Sequence, residues 1–338
     1  MGEIKRDCAV LFNRKPHMGS EIQPGAIAAF PSAAEADRLV AGVAAAARAV
    51  LGLAAQGAAA VTVRIADGAP LAAATRADIE RLRGQALVRV EPGTGPAPVL
   101  PTSWDVIRAT GKPGDGLVSR WLNRPVSQRV TFLALAIPGI RPGHVTIVNA
   151  LIAVPMLLCL LLGGPTGLVL GAILFQAASL LDGVDGEMAR ATFRTSREGA
   201  TLDSAVDMAT NVLFVLGLTI HLAQRDHDAI GWIGVLAIVQ MIAGNALIAR
   251  RVRAQGAPLG FDHYKRRGGR IGGVVDLVYW AVQVLTGRDC FAFLFMVLTI
   301  IGLERAALMI FAGVGTIWFL YVLLSSLLPV PRTYRGAA

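Results

Sequence analysis

Four aspartates lie within one stretch of 26 residues, between two long apolar runs, and they are the residues best suited to chemistry. Asp182 and Asp185 are three residues apart, and Asp203 and Asp207 are four apart. Side chains at these spacings share one face of a helix. Two such helices in antiparallel contact bring four carboxylates together, where they repel one another unless a cation lies among them. Oxygen ligands favour Mg²⁺, Mn²⁺ or Ca²⁺, and paired divalent ions commonly clamp a pyrophosphate that undergoes displacement.

The spacing of the whole stretch resembles a family signature. The pattern is DxxDGxxAR, then eight residues, then GxxxDxxxD, and it resembles the motif of the CDP-alcohol phosphotransferase (CDP-alcohol phosphatidyltransferase) family at every defined position. The matching residues are Asp182, Asp185, Gly186, Ala189, Arg190, Gly199, Asp203 and Asp207. The alternative is a pair of transmembrane helices with capping aspartates. Acidic groups within a membrane span are costly, however, and their default interpretation is functional.

The resemblance implies a metal-dependent enzyme that moves a phosphoryl-alcohol group from a CDP-alcohol to an acceptor hydroxyl and releases CMP. By motif position, Asp182, Asp185 and Asp203 are the expected ligands of two Mg²⁺ or Mn²⁺ ions. Asp207 matches the catalytic base of the family and can also share a metal ion. A carboxylate becomes a useful base for an alcohol when the alcohol is held within hydrogen-bonding distance.

The small residues of the motif are the expected contacts of the CDP donor. The resemblance implies that Gly186, Ala189 and Gly199 line a cytidine pocket and that Arg190 offsets the donor phosphates. A nucleotide pressed against a helix backbone favours positions without a Cβ atom. Small residues also serve close helix packing in membranes, and an arginine at a helix end can extend to the lipid headgroups. Both alternatives stay open.

Basic residues near the motif are candidates for binding the phosphate of an acceptor. They are Arg194, Arg197, Arg250, Arg251 and the cluster at residues 265–270. Cytoplasmic loops of membrane proteins are rich in Lys and Arg without any ligand, so this general rule alone can explain each of them.

The second half of the chain is an integral membrane domain by composition. The chain has 338 residues, 54% of them hydrophobic, and residues 141–330 hold near-uncharged stretches close to the ~20 residues that cross a bilayer. About six spans are predicted, at residues 145–162, 168–190, 200–222, 230–249, 291–302 and 306–328. The predicted fold of this part is an all-α polytopic membrane domain.

The distribution of charge predicts the orientation. The net charge is +9, and most Lys and Arg residues lie on one side of the predicted spans, whereas the other side carries only Arg225 and Arg305. This asymmetry places the N-terminus and the aspartates on the cytoplasmic side of the inner membrane and argues against nucleic acid as a partner. The first 30 residues hold no apolar core of signal-peptide length. Cys8, Cys159 and Cys290 are far apart, so neither a disulfide nor a zinc site is predicted.

Residues 1–100 predict a small soluble α/β domain. Short apolar runs at 8–12, 59–65 and 86–90 alternate with helical stretches at 33–54 and 76–83, which suggests a parallel sheet with crossover helices. In the family branch that makes di-inositol phosphate, a cytidylyltransferase domain precedes the transferase. This region resembles a shortened, degenerate relative of that domain without its Gly-rich nucleotide loop.

Residues 101–140 form the predicted linker and a juxtamembrane amphipathic helix. The interval from Lys112 to Arg129 contains four basic residues, including both ends, and Leu117, Trp121 and Leu122 share one face. Such a helix lies at the membrane interface. The segment also resembles the corresponding part of the di-inositol phosphate branch.

Two classes of substrate and one alternative function remain open. The donor is either CDP-diacylglycerol, with inositol phosphate, glycerol phosphate or serine as acceptor, or a polar donor such as CDP-inositol. The resemblance implies a homodimer in the lipid bilayer. The alternative is a non-catalytic membrane scaffold or transporter that retains the motif.

Overall fold

A computed structural model describes residues 25–112, 115–116, 118–254 and 287–327. The chain divides into two compact units. The first comprises the described residues up to Gly111 together with Gln128–Ile140 and Glu187–Arg194, and the second comprises the other described residues. The predicted strand at 8–12, Leu117 of the amphipathic face and the basic cluster at 265–270 lie outside the described residues. The predicted domain boundaries at residues 100 and 140 stay predictions.

A small α/β domain precedes the membrane helices, as predicted. Its strands are β1 (Ala26–Phe30), β2 (Leu39–Val40), β3 (Val43–Ala44), β4 (Ala60–Ile65) and β5 (Leu87–Pro92). Its helices are α1 (Ala33–Asp37), α2 (Ala45–Ala55) and α3 (Ala73–Leu82). The strands β1, β4 and β5 form a parallel sheet with β4 in the centre, and β2 pairs with β3 in an antiparallel ribbon. Every second residue of β4 is buried, which is the pattern of a strand with one covered face.

Two details of this domain differ from the prediction. The strand β1 is not predicted from the sequence, because its Ala-rich segment has a low intrinsic preference for strands. The predicted helix at residues 33–54 is two helices, separated by the β2–β3 turn. Ala41 and Gly42 in that turn have positive φ angles of 46° and 75°, which an α-helix does not allow.

The remaining elements are helical. A short helix α4 (Ser103–Ala109) is followed by a π-helical turn at Ser119–Asn123 that continues into α5 (Arg124–Leu135). The apolar helices are α6 (Pro142–Leu162), α7 (Gly164–Ala191), α8 (Arg197–Asp226), α9 (Ile230–Ala254), α10 (Arg288–Ile300) and α11 (Glu304–Leu327). Within the described ranges, five of these, all except α10, are long and apolar enough to cross a membrane. At 13 residues, α10 is shorter than a bilayer span.

Large apolar side chains cover the outside of the long helices. On α6, Leu151 and Leu158 are more than half exposed, and on α9 Trp232 and Val239 are as well. A water-soluble protein rarely exposes such continuous apolar surface, whereas lipid tails solvate it well. The helices therefore form the polytopic membrane domain that the sequence predicts, and the protein is a multi-pass membrane protein.

A cluster of phenylalanine rings forms the centre of the membrane domain. Phe175 of α7 and Phe214 of α8 stack in parallel with ring centroids 4.0 Å apart, and Phe291, Phe295 and Phe311 surround them. The two stacked rings are fully buried. Aromatic pairs of this kind add stabilisation beyond that of the buried area. The cluster therefore fixes the lateral positions of α7, α8 and α10.

Candidate active site

The four aspartates lie two to three helical turns from the phenylalanine cluster. Asp182 is seven residues from Phe175 along α7, and Asp207 is seven residues from Phe214 along α8. Seven residues of α-helix rise about 10 Å. The stacked rings hold α7 and α8 side by side. The carboxylates that follow about 10 Å further along both helices therefore face a common space.

Three of the four carboxylates come together. Asp182, Asp185 and Asp203 each offer an oxygen atom, and these atoms all lie within 4.8 Å of one another. The Oδ1 atom of Asp203 is buried and has no hydrogen-bond partner among the described residues, whereas the buried Oδ1 of Asp182 lies 3.3 Å from Nη1 of Arg288 in an ion pair. Buried acceptors that lack a partner are costly, and clustered anions repel each other. The all-oxygen donor set and the unpartnered Oδ1 of Asp203 fit one or more hard divalent cations.

The third carboxylate is oriented by a hydroxyl from another helix. Thr146 of α6 donates a 2.5 Å hydrogen bond from Oγ1 to Oδ2 of Asp185, and both side chains are buried. Groups that hydrogen-bond to metal ligands fix the orientation of those ligands. Sequence reasoning assigned no role to Thr146, because a Thr at the start of an apolar helix has no distinctive local signal.

Replacing this hydroxyl gives a testable prediction. Thr146→Val keeps the shape of the side chain but leaves Asp185 without its hydroxyl donor, so we expect about tenfold weaker binding of Mn²⁺. Titration of the purified protein, followed by the electron paramagnetic resonance signal of free Mn²⁺, measures the affinity. Thr219→Val is the control, since among the described residues the Thr219 hydroxyl bonds to a backbone carbonyl of its own helix. Equal affinities of Thr146→Val and the unmodified protein would contradict the orienting role.

The fourth aspartate is paired with an arginine. Arg288, the first residue of α10, forms ion pairs with the carboxylates of Asp207 and Asp182, the latter at 3.3 Å. Its side chain is 12% exposed. Its Nε and Nη2 atoms are buried and have no hydrogen-bond partner within the described parts of the chain. Sequence reasoning counted Arg288 only as a positive charge at a span end, because its distance of 81 residues from Asp207 hides the contact.

The predicted donor-binding residues lie in sequence between the first and the second pair of aspartates. Gly186 is half-buried in α7, and Gly199 is exposed in the first turn of α8, where its N–H donates to the capping hydroxyl of Ser196. Ala189 and Arg190 follow in the last turns of α7. The Nε of Arg190 donates to the backbone carbonyl of Thr110 at 2.8 Å. Their contact with a CDP donor stays a prediction.

The predicted acceptor-binding arginines are distributed over several elements. Arg194 lies 3.6 Å from the carboxylate of Asp78, and Arg197 is exposed at the start of α8. Near the end of α9, Arg250 is exposed, while Arg251 donates to the backbone carbonyl of Ser325. Their roles toward an acceptor stay predictions.

Comparison with known proteins gives one family and one type of relative. The family model described as CDP-alcohol phosphatidyltransferase matches residues 140–318, more than half of the chain and including all four aspartates. Relatives named bifunctional IPC transferase and DIPP synthase are 44% identical over 94 residues in Thermococcus kodakarensis and 31% identical over 205 residues in Aquifex aeolicus. These alignments cover 28% and 59% of this chain. They span 20% and 41% of the two relatives, so the chain matches less than half of either.

Proposed function

The chain belongs to the CDP-alcohol phosphatidyltransferase family, and from this premise we propose that it transfers a phosphoryl-alcohol group from a CDP-alcohol to an acceptor hydroxyl with release of CMP. The observation that carries the proposal is the grouping of three carboxylates within 4.8 Å. A fourth carboxylate, that of Asp207, forms an ion pair with Arg288. It belongs to the face that α7 and α8 turn toward each other. A protein without this chemistry has no evident reason to maintain so costly an arrangement inside a membrane domain.

Divalent ions are the proposed cofactors, and the residues present fit them. Asp182, Asp185 and Asp203 would hold Mg²⁺ or Mn²⁺, and Thr146 would keep Asp185 in its ligating orientation. Such ions, when bound, neutralise pyrophosphate oxygens and make the phosphorus more electrophilic. Asp207 also stands in the predicted ligand set, although in the structure its carboxylate is engaged by Arg288.

The proposed reaction uses Asp207 as the base. The acceptor hydroxyl gives its proton to the Asp207 carboxylate while its oxygen forms a bond to the phosphorus that carries the donor alcohol. The bond between that phosphorus and the bridging oxygen breaks, and its electron pair leaves with CMP. The ion pair with Arg288 orients the carboxylate toward the bound alcohol. The unpartnered Nε and Nη2 atoms of Arg288 are suited to a phosphate oxygen, because guanidinium groups bind such oxygens in a forked geometry.

Removal of this guanidinium gives the next prediction. Arg288→Met leaves the paired carboxylates without their cation, so we expect CMP release to fall about a hundredfold, whereas Arg288→Lys should retain part of the activity. Initial rates measured with donor and acceptor varied separately show which substrate is affected. The matched control is Arg305→Met, because Arg305 also lies in the first turn of an apolar helix and pairs with an aspartate of α8, at the opposite end. Full CMP release by Arg288→Met would remove Arg288 from the site.

The substrates are proposed to be of the inositol phosphate type. The similarity to relatives named IPC transferase and DIPP synthase supports a polar donor such as CDP-inositol over CDP-diacylglycerol. The α/β domain lacks the Gly-rich loop expected of a cytidylyltransferase, which supports a non-catalytic, degenerate domain that does not form the donor itself.

The site is proposed to face the cytoplasm in the inner membrane, in a homodimer. The charge distribution supports the orientation. At the opposite end of α8, Arg225 and Arg305 are paired with Asp226, Asp228 and Glu304, so the two basic residues on that side are neutralised. The described basic residues at the start of α8 and near the end of α9, by contrast, include the exposed Arg197 and Arg250. This difference follows the positive-inside rule.

Measurement of CMP release tests the proposed function. The purified protein in detergent is incubated with Mg²⁺ or Mn²⁺ and either CDP-diacylglycerol or CDP-inositol, each with inositol phosphate, glycerol phosphate or serine. The proposal expects CMP only with metal, with one donor and with one acceptor. An absence of CMP from every pairing, together with no binding of cytidine nucleotides, would favour a scaffold or transporter that retains the motif.

A further inference from the structure

The helix α7 ends in a tight turn just after the first two aspartates of the motif. The N–H of Arg194 donates to the carbonyl of Ala189 at 2.8 Å, and the N–H of Phe193 donates to that of Arg190 at 3.3 Å. Phe193 itself has a left-handed φ of 54°. These are the bonds of a Schellman motif, which usually places Gly at the left-handed position. The motif leaves the carbonyl oxygens of Ala191 and the next two residues without a partner in the helix.

One of these carbonyls is bound by a buried arginine of the α/β domain. Arg48 of α2 is fully buried, and its Nη2 donates to the carbonyl of Ala191 at 2.7 Å. Its Nε and Nη2 also donate to the carbonyls of Val40 and Ala41 in the β2–β3 turn. The guanidinium carbon lies 5.6 Å from the ring centroid of Phe193, within the range of a cation–π contact. A buried cation is thus shared between the β2–β3 turn and the end of α7.

A second arginine of the same domain binds the next two carbonyls. Arg81 of α3 donates from Nη1 to the carbonyl oxygens of Thr192 and Phe193, both at 3.1 Å. Its Nη2 donates to Asp78 at 2.8 Å, and Asp78 also pairs with Arg194. Cations at a helix C-terminus satisfy the last carbonyls and interact favourably with the helix dipole.

Close packing at the turn of the β2–β3 ribbon complements these bonds. A Cβ atom at Gly42 would lie 3.1 Å from Cγ2 of Thr192 and 2.8 Å from Cδ2 of Leu135. Gly42 also has a positive φ of 75°, so both its conformation and its surroundings require glycine. The turn therefore lies directly against the residue that follows α7.

We propose that the α/β domain is a clamp for the segment Glu187–Arg194, with Arg48 and Arg81 as positioning residues. This segment begins two residues after Asp185 and ends nine residues before Asp203, and it contains Ala189 and Arg190 of the motif. Its fixation limits how α7 and α8 approach each other at their aspartates. The effect on the reaction rests on the proposed function, whereas the clamp itself does not.

Amide hydrogen exchange on the full-length protein tests the clamp without any substrate. Arg81→Met removes the donor to two carbonyls, so we expect the peptide covering residues 187–197 to exchange about tenfold faster. Arg83→Met is the matched control. Arg83 lies two residues further along, its side chain is 32% exposed like that of Arg81, and its described bonds are to Glu80 and Ala86. Arg81→Lys, which keeps the charge and can still donate, should restore part of the protection.

CMP release by the same variants tests the positioning role. Because the clamped segment carries predicted donor contacts, Arg81→Met should raise the KM for the CDP donor about tenfold and leave the KM for the acceptor near its original value. A merely structural loss would lower the amount of active protein without separating the two constants. In Arg48→Met, we expect the amides of the same peptide to exchange faster still, because the guanidinium that this variant lacks is fully buried. If Arg48→Met does not fold, the exchange and KM measurements on the Arg81 variants alone test the clamp and the positioning role.

The outcomes separate the clamp from the proposed function. Faster exchange confined to residues 187–197 in Arg81→Met, with Arg83→Met unchanged and Arg81→Lys intermediate, supports the clamp. Equal exchange in Arg81→Met and the unmodified protein overturns it. Faster exchange with an unchanged KM for the donor overturns the positioning role. If the unmodified protein releases no CMP with any donor, the proposed transferase function fails, and the exchange measurement still decides on the clamp.

Discussion

Asp207→Asn is expected to lower CMP release by at least about a hundredfold while binding of divalent ions and cytidine nucleotides persists. The amide has nearly the same shape as the carboxylate, and its oxygen can still accept a hydrogen bond from Arg288, which pairs with Asp207 in the structure. It cannot take a proton from an acceptor hydroxyl. The variant therefore removes the base and keeps the packing around it.

Three measurements on purified Asp207→Asn check this expectation: CMP release, Mn²⁺ titration and CMP binding. Asp226→Asn is the matched control, because Asp226 is also an aspartate of α8 that pairs with an arginine from a later helix. Its loss leaves Arg305 paired with Asp228 and Arg225 paired with Glu304. Turnover by Asp207→Asn equal to that of Asp226→Asn would exclude Asp207 as the base.

Asp182→Ala is expected to weaken metal binding at the site strongly and to abolish CMP release. Asp182 supplies one of the three clustered carboxylates and also pairs with Arg288. A hard cation loses affinity steeply when one of few anionic ligands is removed, so we expect the Kd for Mn²⁺ to rise about a hundredfold or more. Without metal, the variant carries less like-charge repulsion, and its thermal stability should be equal to or above that of the unmodified protein.

Thermal unfolding in detergent, with and without Mg²⁺, measures this effect independently of activity. A ligand that binds only the folded protein raises Tm by an amount that grows with the logarithm of its concentration relative to its Kd. With Mg²⁺ at about ten times the Kd of the unmodified protein, that protein should gain Tm, whereas Asp182→Ala should gain little. Glu198→Ala, which changes an exposed carboxylate in the first turn of the same α8 helix that carries Asp203, is the control and should behave like the unmodified protein. A normal metal-induced rise of Tm in Asp182→Ala would contradict its role as a ligand.

The proposed clamp gives the α/β domain a purpose that does not require catalysis. The domain lacks the nucleotide loop of a cytidylyltransferase, yet its Arg48 is fully buried against the end of the motif helix. Burial of a guanidinium is costly unless all its partners are in place. The burial of Arg48 against the end of α7 fits a domain whose contacts with the motif segment matter more than any site of its own.

The sequence alone determined the membrane domain and the positions of the candidate ligands. Five described helices begin and end within a few residues of the predicted spans, because hydrophobic length is a local property that the bilayer imposes on each span separately. Asp182 and Asp185 also share a helix face with no help from the rest of the chain, since spacing along a helix is enough. The motif therefore indicated a carboxylate cluster before any fold was known.

Only the tertiary structure decided which residues complete that cluster and hold it. Arg288 meets Asp207 across 81 residues of sequence, Thr146 meets Asp185 across 39, and Arg48 meets the carbonyl of Ala191 across 143. The sequence around an arginine at a span end or a threonine at a helix start does not indicate which residue that side chain contacts. Such pairs depend on how separate helices pack, and packing is set by long-range burial that no single segment encodes.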